Sequence, residues 1–293
     1  MRNLVLSIFL LFSSIIIFPT LAQATDTSVC RFGIPPFQKA ISFNEERKKY
    51  LPLLNWLTEQ TGCKFVPVGA FSYEDLIKKI TLGTVHVAEL GAVSYIQAKN
   101  KNPKINMIAT ALTWNESKTE LIDSYRSLVI TLKKYKDINH LQDLQDKSIG
   151  FVNETSSSGF VYPAILIKKN EHIDYEVFFS KTLFLGSHPN VTGALANDSI
   201  VAGVTSNKNL EEAQRIYGDI FKVLWKSPPI PNVLFASHPS LPINIRQKLE
   251  ELLPQTKVEL FEGIGLIKGF VIRPDDFYDV TRKILAYEHA EVD

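Results

Sequence analysis

From residue 30 onward, short apolar runs alternate with longer stretches in which apolar positions recur every three or four residues. The short runs predict strands, and the periodic stretches predict amphipathic helices. Cys30 to Ile34 predicts a strand that stops at Pro35-Pro36. Asn44 to Gln60 predicts a helix with Tyr50, Leu53, Leu54 and Leu57 on one face and Gly62 just past its end. Cys63 to Val68 predicts a second strand, and Ser72 with Asp75 predicts a capped helix start. Strands at Val85 to Leu90 and Ile105 to Leu112 flank a helix that opens at Gly91 and runs through Tyr95 to Lys99. A longer strand, Tyr125 to Leu132, follows and the pattern restarts. Ser148 to Val152, Tyr175 to Phe179, Ile200 to Val204 and Lys222 to Lys226 predict strands. Helices are predicted up to Lys169, over Ser187 to Ala196 and near Glu211. Val233 to Ala236 reads as extended, Pro242 to Leu253 as a helix, and Gly269 to Ala286 as a strand and an amphipathic helix. Such alternation predicts α/β architecture, mainly parallel sheets flanked by helices.

The order of elements implies two such units, the second inserted in the first. The chain changes unit near Leu121 to Tyr125 and again in the Pro-rich stretch Ser227-Pro228-Pro229-Ile230-Pro231, near Val233. The predicted lobes are residues 25–124 with 233–293, and residues 125–232. Two crossings between two lobes make a hinge, and the cleft between them is where a ligand belongs.

The first 24 residues follow a different pattern. Met1-Arg2-Asn3 is a short basic start, Leu4 to Phe18 is apolar except for three serines, and Ala22-Gln23-Ala24 is an A-x-A site. That is the three-part pattern of a secretory signal, and its apolar run is shorter than the ~20 residues a membrane span needs. Cleavage near Ala24 would release a diffusible protein into the periplasm of a diderm bacterium. No later stretch predicts membrane insertion.

Composition narrows the classes. With 32 Lys+Arg against 31 Asp+Glu, the chain has no electrostatic footprint for nucleic acid. Hydrophobic residues make up 45% and charged residues 22%, ordinary values for a globular protein. The six histidines, His86, His140, His172, His188, His238 and His289, lack ligand spacing, so no metal or other cofactor is expected. No nucleophile elbow, metalloprotease motif or phosphate-binding P-loop occurs, which argues against an enzyme.

The candidate chemistry lies at strand-to-helix turns. Ser156-Ser157-Ser158-Gly159 joins a strand to a helix; free helical N–H groups, three hydroxyls and a glycine make a cradle for an anion. A polar helix cap with nothing bound is the alternative. His188 opens another helix of the same unit, Tyr73 opens one in the first lobe, and Tyr125 stands at the first crossing. Taken alone, each of these three is more often a structural residue.

Several stretches fall in a familiar series. They are Tyr73-Glu74-Asp75-Leu76-Ile77, Val87-Ala88-Glu89-Leu90-Gly91-Ala92-Val93-Ser94-Tyr95 and Tyr125-Arg126-Ser127-Leu128. Ser156-Ser157-Ser158-Gly159 with Pro163, Gly186-Ser187-His188 and Lys226-Ser227-Pro228-Pro229-Ile230-Pro231 follow. In this order, over nearly all of the chain beyond the signal, they resemble the phosphate/phosphite/phosphonate substrate-binding proteins of ABC transporters. The resemblance implies a two-lobed type II periplasmic-binding-protein fold that clamps a small oxyanion for an inner-membrane ABC permease. It implies ligand contacts at Tyr73, Tyr125, Ser156, Ser157, Ser158 and His188, with Gly159 in the same turn. A sensor that reports ligand to a membrane kinase, or a binder of another oxyanion such as a sulfonate, would use the same cleft.

The sequence also departs from that family. Ser157 stands where Thr is usual, and His86 and Val201 stand where Asp is common. Members that take aminoalkylphosphonates carry carboxylates where this chain has Thr205-Ser206-Asn207-Lys208 and Asn232-Val233. A small ligand without an amino tail is therefore expected, with Lys208 read as a solvated surface residue; Glu89 is the residue that would overturn this if it faced the cleft. Finally, Cys30 and Cys63 begin the first two strands. If those strands are neighbours in register, their ~4.8 Å spacing suits a disulfide.

Overall fold

A computed structural model describes residues 28–36, 43–264 and 266–290. The signal segment and its cleavage site lie outside the described residues. Among those described, no helix is long and apolar enough to cross a membrane.

In chain order the first stretch comprises β1 (Val29–Ile34), α1 (Phe43–Thr61), β2 (Lys64–Gly69), α2 (Tyr73–Thr81), β3 (Val87–Leu90), α3 (Ala92–Lys101), β4 (Asn106–Trp114) and β5 (Leu121–Ile122). Then come β6 (Ser124–Tyr125), β7 (Ser127–Leu132), β8 (Ser148–Phe151), a π-helical turn (Ser157–Val161), α4 (Tyr162–Glu171), α5 (Tyr175–Phe178), β9 (Lys181–Phe184) and α6 (His188–Ala196). The rest is β10 (Ala202–Ser206), α7 (Asn207–Tyr217), β11 (Phe221–Lys226), β12 (Ile230–Pro231), β13 (Leu234–Ser237), α8 (Ile243–Leu252), β14 (Gly269–Val271) and α9 (Asp279–Ala290).

The strands form two large sheets and a two-stranded one, β12-β6, between them. One large sheet has the order β14-β4-β13-β3-β1-β2, with β5 paired to β4; the other has the order β11-β7-β10-β8-β9. Each is covered on both faces. In the first, one apolar cluster holds Leu53, Leu54 and Leu57 of α1 with Leu249 of α8, and the other holds Leu76, Ile77 and Ile80 of α2 with Tyr95 of α3. In the second, Leu166 of α4 and Ile284 of α9 cover one face, and Val191 and Leu195 of α6 cover the other.

Most strands in each sheet run one way, as the alternation predicts; β5 and β14 run against β4 at the edge of the first sheet, and β7 and β13 run against their neighbours on both sides. For β7 and β13 the reason is where the strands come from. Each follows a passage between the sheets, so it enters at the edge where the other strands end. Ser127, first in β7, faces Ser206, last in β10; Leu234, first in β13, faces Leu90, last in β3. The passages themselves pair antiparallel, Tyr125 with Ile230 and Ser124 with Pro231. Asn232 anchors them, its amide donating to the Ala111 and Ile122 carbonyls at 2.9 Å.

Cys30 and Cys63 form a disulfide, with Cα atoms 5.9 Å apart. The strands are parallel neighbours, but Cys30 is level with Phe65. Cys63 therefore lies two residues back, and the bridge is diagonal on one face.

Two local readings change. The predicted strand Tyr175 to Phe179 is the short helix α5, because the Asp174 carboxylate accepts the Glu176 N–H and caps a turn. The strand of that region is β9, whose half-buried residues gave no run of fully apolar positions. The long strand Tyr125 to Leu132 is interrupted at Arg126, where the inter-sheet passage gives way to β7.

Candidate functional site

Strand ends of both sheets meet at one cleft. The turns after β2, β3, β8, β9 and β10 supply Tyr73, Gly91, Ser156, His188 and Lys208, and all five line a cavity of about 290 Å³. Carboxyl ends of strands are where ligands of open α/β sheets gather, because the helices that follow present their N-termini there.

The turn after β8 is the densest part. Ser156 is its N-cap, its hydroxyl accepting the Gly159 N–H at 3.1 Å, and its carbonyl accepts from both Phe160 and Val161. That widened turn leaves the first amides, those of Ser157 and Ser158, without an intrahelical acceptor. The turn is held from behind, where the Ser127 hydroxyl donates to the Ser158 carbonyl at 2.6 Å and the Ser127 N–H to the Ser227 hydroxyl at 2.9 Å. The fully buried Ser127 and nearly buried Ser227 thus explain two motif positions to which sequence attached no role.

His188 opens α6 behind its cap Ser187. Its Nδ1 lies 3.0 Å from the Thr205 hydroxyl and its Nε2 lies 3.4 Å from the Ser158 hydroxyl. Burial holds the imidazole down to about 4, so the ring is neutral near pH 7. The Ser158 and Ser157 hydroxyls face the Tyr125 phenol and partly offset the rise that burial imposes on it. Burial raises both it and Tyr73, so both phenols are protonated donors. Opposite, α3 presents its first turn. Its N-cap Gly91 has no side chain to cap with, the Val93 N–H donates to the Ser157 hydroxyl at 3.0 Å, and the buried Ser94 hydroxyl has no partner.

The structure therefore brings Tyr73, Tyr125, Ser156, Ser157, Ser158 and His188 to one cavity. Gly159 is not brought there. It packs behind the turn, and a Cβ in its place would lie 2.4 Å from Val152 atoms. A side chain there would clash with Val152 just past β8, so the absence of one is required for close packing of the turn.

Two further residues of the cavity were misplaced or left open by sequence. Lys208 is only 4% exposed. Its Nζ donates to the Trp114 carbonyl and lies 3.6 Å from the Glu211 carboxylate. It is not a solvated surface lysine; its position directly after β10 was the available signal. Glu89 is the penultimate residue of β3, a strand of otherwise apolar residues, and is buried at the cavity, where the Tyr50 hydroxyl donates to it at 3.1 Å. Burial pushes its carboxyl up to about 7, with the Tyr50 hydrogen bond opposing and Glu46 adding to the rise. By contrast, His86 and Val201 sit at the amino ends of β3 and β10, away from the cleft, where His86 contacts Arg31. Those two departures do not touch the cavity. Among the described residues, no group of three His, Cys, Asp or Glu side chains could hold a metal ion.

The sequence profile of a family described as "ABC transporter, phosphonate, periplasmic substrate-binding protein" matches residues 32–277. The chain is 26% identical over 268 residues to the phosphate-import protein PhnD of Mycolicibacterium smegmatis, covering 88% of this chain and 81% of that protein. Its fold is similar to the binding-protein component of an ABC phosphonate transporter from Pseudomonas aeruginosa, at TM-score 0.78 and 21% identity over 91% of this chain and 89% of that one. It is also similar to PhnD1 of Prochlorococcus marinus, solved in complex with methylphosphonate, at TM-score 0.73 and 16% identity over 88% and 97% of the two chains. The two sheets and their double passage are thus those of a two-lobed type II periplasmic binding protein.

Proposed function

The chain belongs to the family of periplasmic phosphonate-binding proteins of ABC transporters, and from that premise we propose that it captures phosphate, phosphite or a small phosphonate for an inner-membrane ABC permease. It binds and releases its ligand without transforming it, after export and cleavage near Ala24. Residues 25–124 with 233–293 form one lobe and residues 125–232 the other, with α9 of the first reaching across to pack on α4 of the second. The lobes close about the β6–β12 pair.

The observation that carries this reading is the convergence of neutral donors on one cavity. The amides of Ser157 and Ser158, the hydroxyls of Ser156 to Ser158 and the phenols of Tyr73 and Tyr125 surround it. If the Thr205 hydroxyl donates to His188 Nδ1, the ring carries its proton on Nε2 and adds another donor beside Ser158. Hydrogen bonds to a charged group contribute about 1.5–3 kcal/mol each, so four or five supply the roughly 8 kcal/mol of a micromolar complex after ordering costs.

Thermal unfolding of the mature protein with a panel of oxyanions tests the function. A ligand at 100 times its dissociation constant adds about 2.7 kcal/mol of stability. Stabilisation by phosphate, phosphite or methylphosphonate is the expected result; no response to any phosphorus oxyanion would refute the reading.

A further inference from the structure

The cavity holds an apparent contradiction for an oxyanion site. Its donors are neutral, and the Nζ of Lys208 is turned to Trp114 and Glu211. The same cavity is lined by the carboxyls of Glu89 and Glu46. Glu46 is partly exposed and paired with Lys49 at 2.8 Å. Glu89 has the Tyr50 hydroxyl for a neighbour instead of a cation. An oxyanion enclosed beside an ionised Glu89 would place two like charges in a poorly solvated space, which is costly unless a proton stands between them.

We propose that Glu89 is a specificity-determining residue of the cleft: its carboxylate accepts a hydrogen bond from the ligand, so the protein selects phosphorus oxyanions that carry a P–OH or an ammonium N–H. This inference rests on the proposed oxyanion function and deepens it. An oxyanion with no hydrogen to offer binds only when Glu89 has taken a proton from solvent. Because burial places the carboxyl near 7, that route is open in mild acid and closes as pH rises. The other groups facing Glu89 do not supply the same pH dependence. Tyr50 on α1 and Tyr73 on α2 are raised phenols, and Tyr125 at the crossing is another. His188 across the cavity stays neutral above pH 6, Glu46 is ion-paired, and Lys208 is the cavity's cation. The absence of carboxylates at Thr205–Lys208 and Asn232–Val233 does not disfavour an amino tail, because the acid comes from the first sheet instead.

The test is calorimetric titration of the mature protein at about pH 6 and about pH 8.5 with inorganic phosphate, 2-aminoethylphosphonate and methanesulfonate. At both pH values phosphate keeps a P–OH and the amino compound keeps its ammonium; methanesulfonate has neither. The preference for the tighter donor-bearing ligand over methanesulfonate should widen by about tenfold or more from the lower to the higher pH. Which of the two binds tighter identifies the hydrogen that Glu89 reads. Glu89→Gln should abolish the widening and raise methanesulfonate affinity at the higher pH, because the amide itself donates. A gain of affinity is not something a damaged fold produces. A preference independent of pH, including methanesulfonate that never binds, would overturn the assignment, as would widening that persists in Glu89→Gln. Failure of phosphate and 2-aminoethylphosphonate alike to bind the wild type would instead overturn the proposed function itself.

Discussion

Ser157 joins the two halves of the molecule: its hydroxyl, on the turn after β8, accepts the Val93 N–H from the first turn of α3 at 3.0 Å. The two residues are 64 positions apart, and both are buried. The turn proposed to hold the anion is therefore also a point where the first sheet closes on the second. Thr155, two residues earlier, donates to Glu74 of α2 at 3.0 Å and makes a second such contact.

Changing Ser157 and Ser158 together to Ala removes two hydroxyls from the cavity and strands the Val93 N–H. An unsatisfied buried donor costs about 1–3 kcal/mol. The double variant should lose about tenfold or more in affinity for the best phosphorus oxyanion, since 1.4 kcal/mol is already a factor of ten. Titration calorimetry measures this, and unchanged affinity would place the ligand elsewhere.

Gly159→Ala acts on the same turn from behind. The added methyl would meet Val152 atoms at 2.4 Å and the Ser156 hydroxyl at 2.7 Å. Val152 is β-branched and fully buried, so the turn must move instead. Overpacking of this kind costs about 1–3 kcal/mol. Urea unfolding should show that loss together with weakened ligand binding. A variant with full stability and full affinity would mean the turn has slack that its packing does not suggest.

How far the sequence could be read follows from what each feature depends on. The alternation of runs was sufficient for the α/β class because apolar period reports burial directly. The helix α1 and the cap at Ser72, which accepts the Asp75 N–H at 3.1 Å, were legible for the same local reasons. Of the six candidate residues that line the cavity, five stand at helix starts after strands, and Tyr125 stands in β6 at the first passage between the sheets, the two kinds of position that sequence order reveals. Gly159 also stands at a helix start, but its side faces Val152, and only packing reveals this. The burial of Glu89 and Lys208 at the cavity depends on how one sheet faces the other across the cleft, and the one local signal was the position of Lys208 directly after β10. The reversal of β7 and β13 is likewise a consequence of the passages between sheets, which no local window contains.

The Cys30–Cys63 bridge closes a loop of sequence separation 33 between two parallel strands. In the chain-entropy account, such a loop constrains the unfolded chain by roughly 3–4 kcal/mol. Reductant should lower the unfolding midpoint without changing the sheet register, since β1 and β2 remain paired along six positions. Alkylation before and after reduction checks the premise; two thiols reactive without reductant would contradict it.

The last expectation concerns two buried groups with opposite effects on stability. His188 has its folded value lowered from 6.5 to about 4 by burial. Between those values the unfolded chain binds a proton that the folded chain does not, so stability is lost as pH falls. Glu89 has its folded value raised from 4.5 to about 7. Between those values the folded chain holds the extra proton, so stability is lost as pH rises. Each slope is about 1.4 kcal/mol per pH unit, and in the shared window from about pH 4.5 to 6.5 they oppose one another. Removing one should expose the other. Relative to wild type, ligand-free His188→Gln should lose stability as pH rises through that window, and Glu89→Gln should gain it. Urea midpoints at three pH values across the window decide the matter, because the contributions of all other carboxylates cancel in the differences. Three parallel lines would mean that neither group carries the shift that its burial imposes.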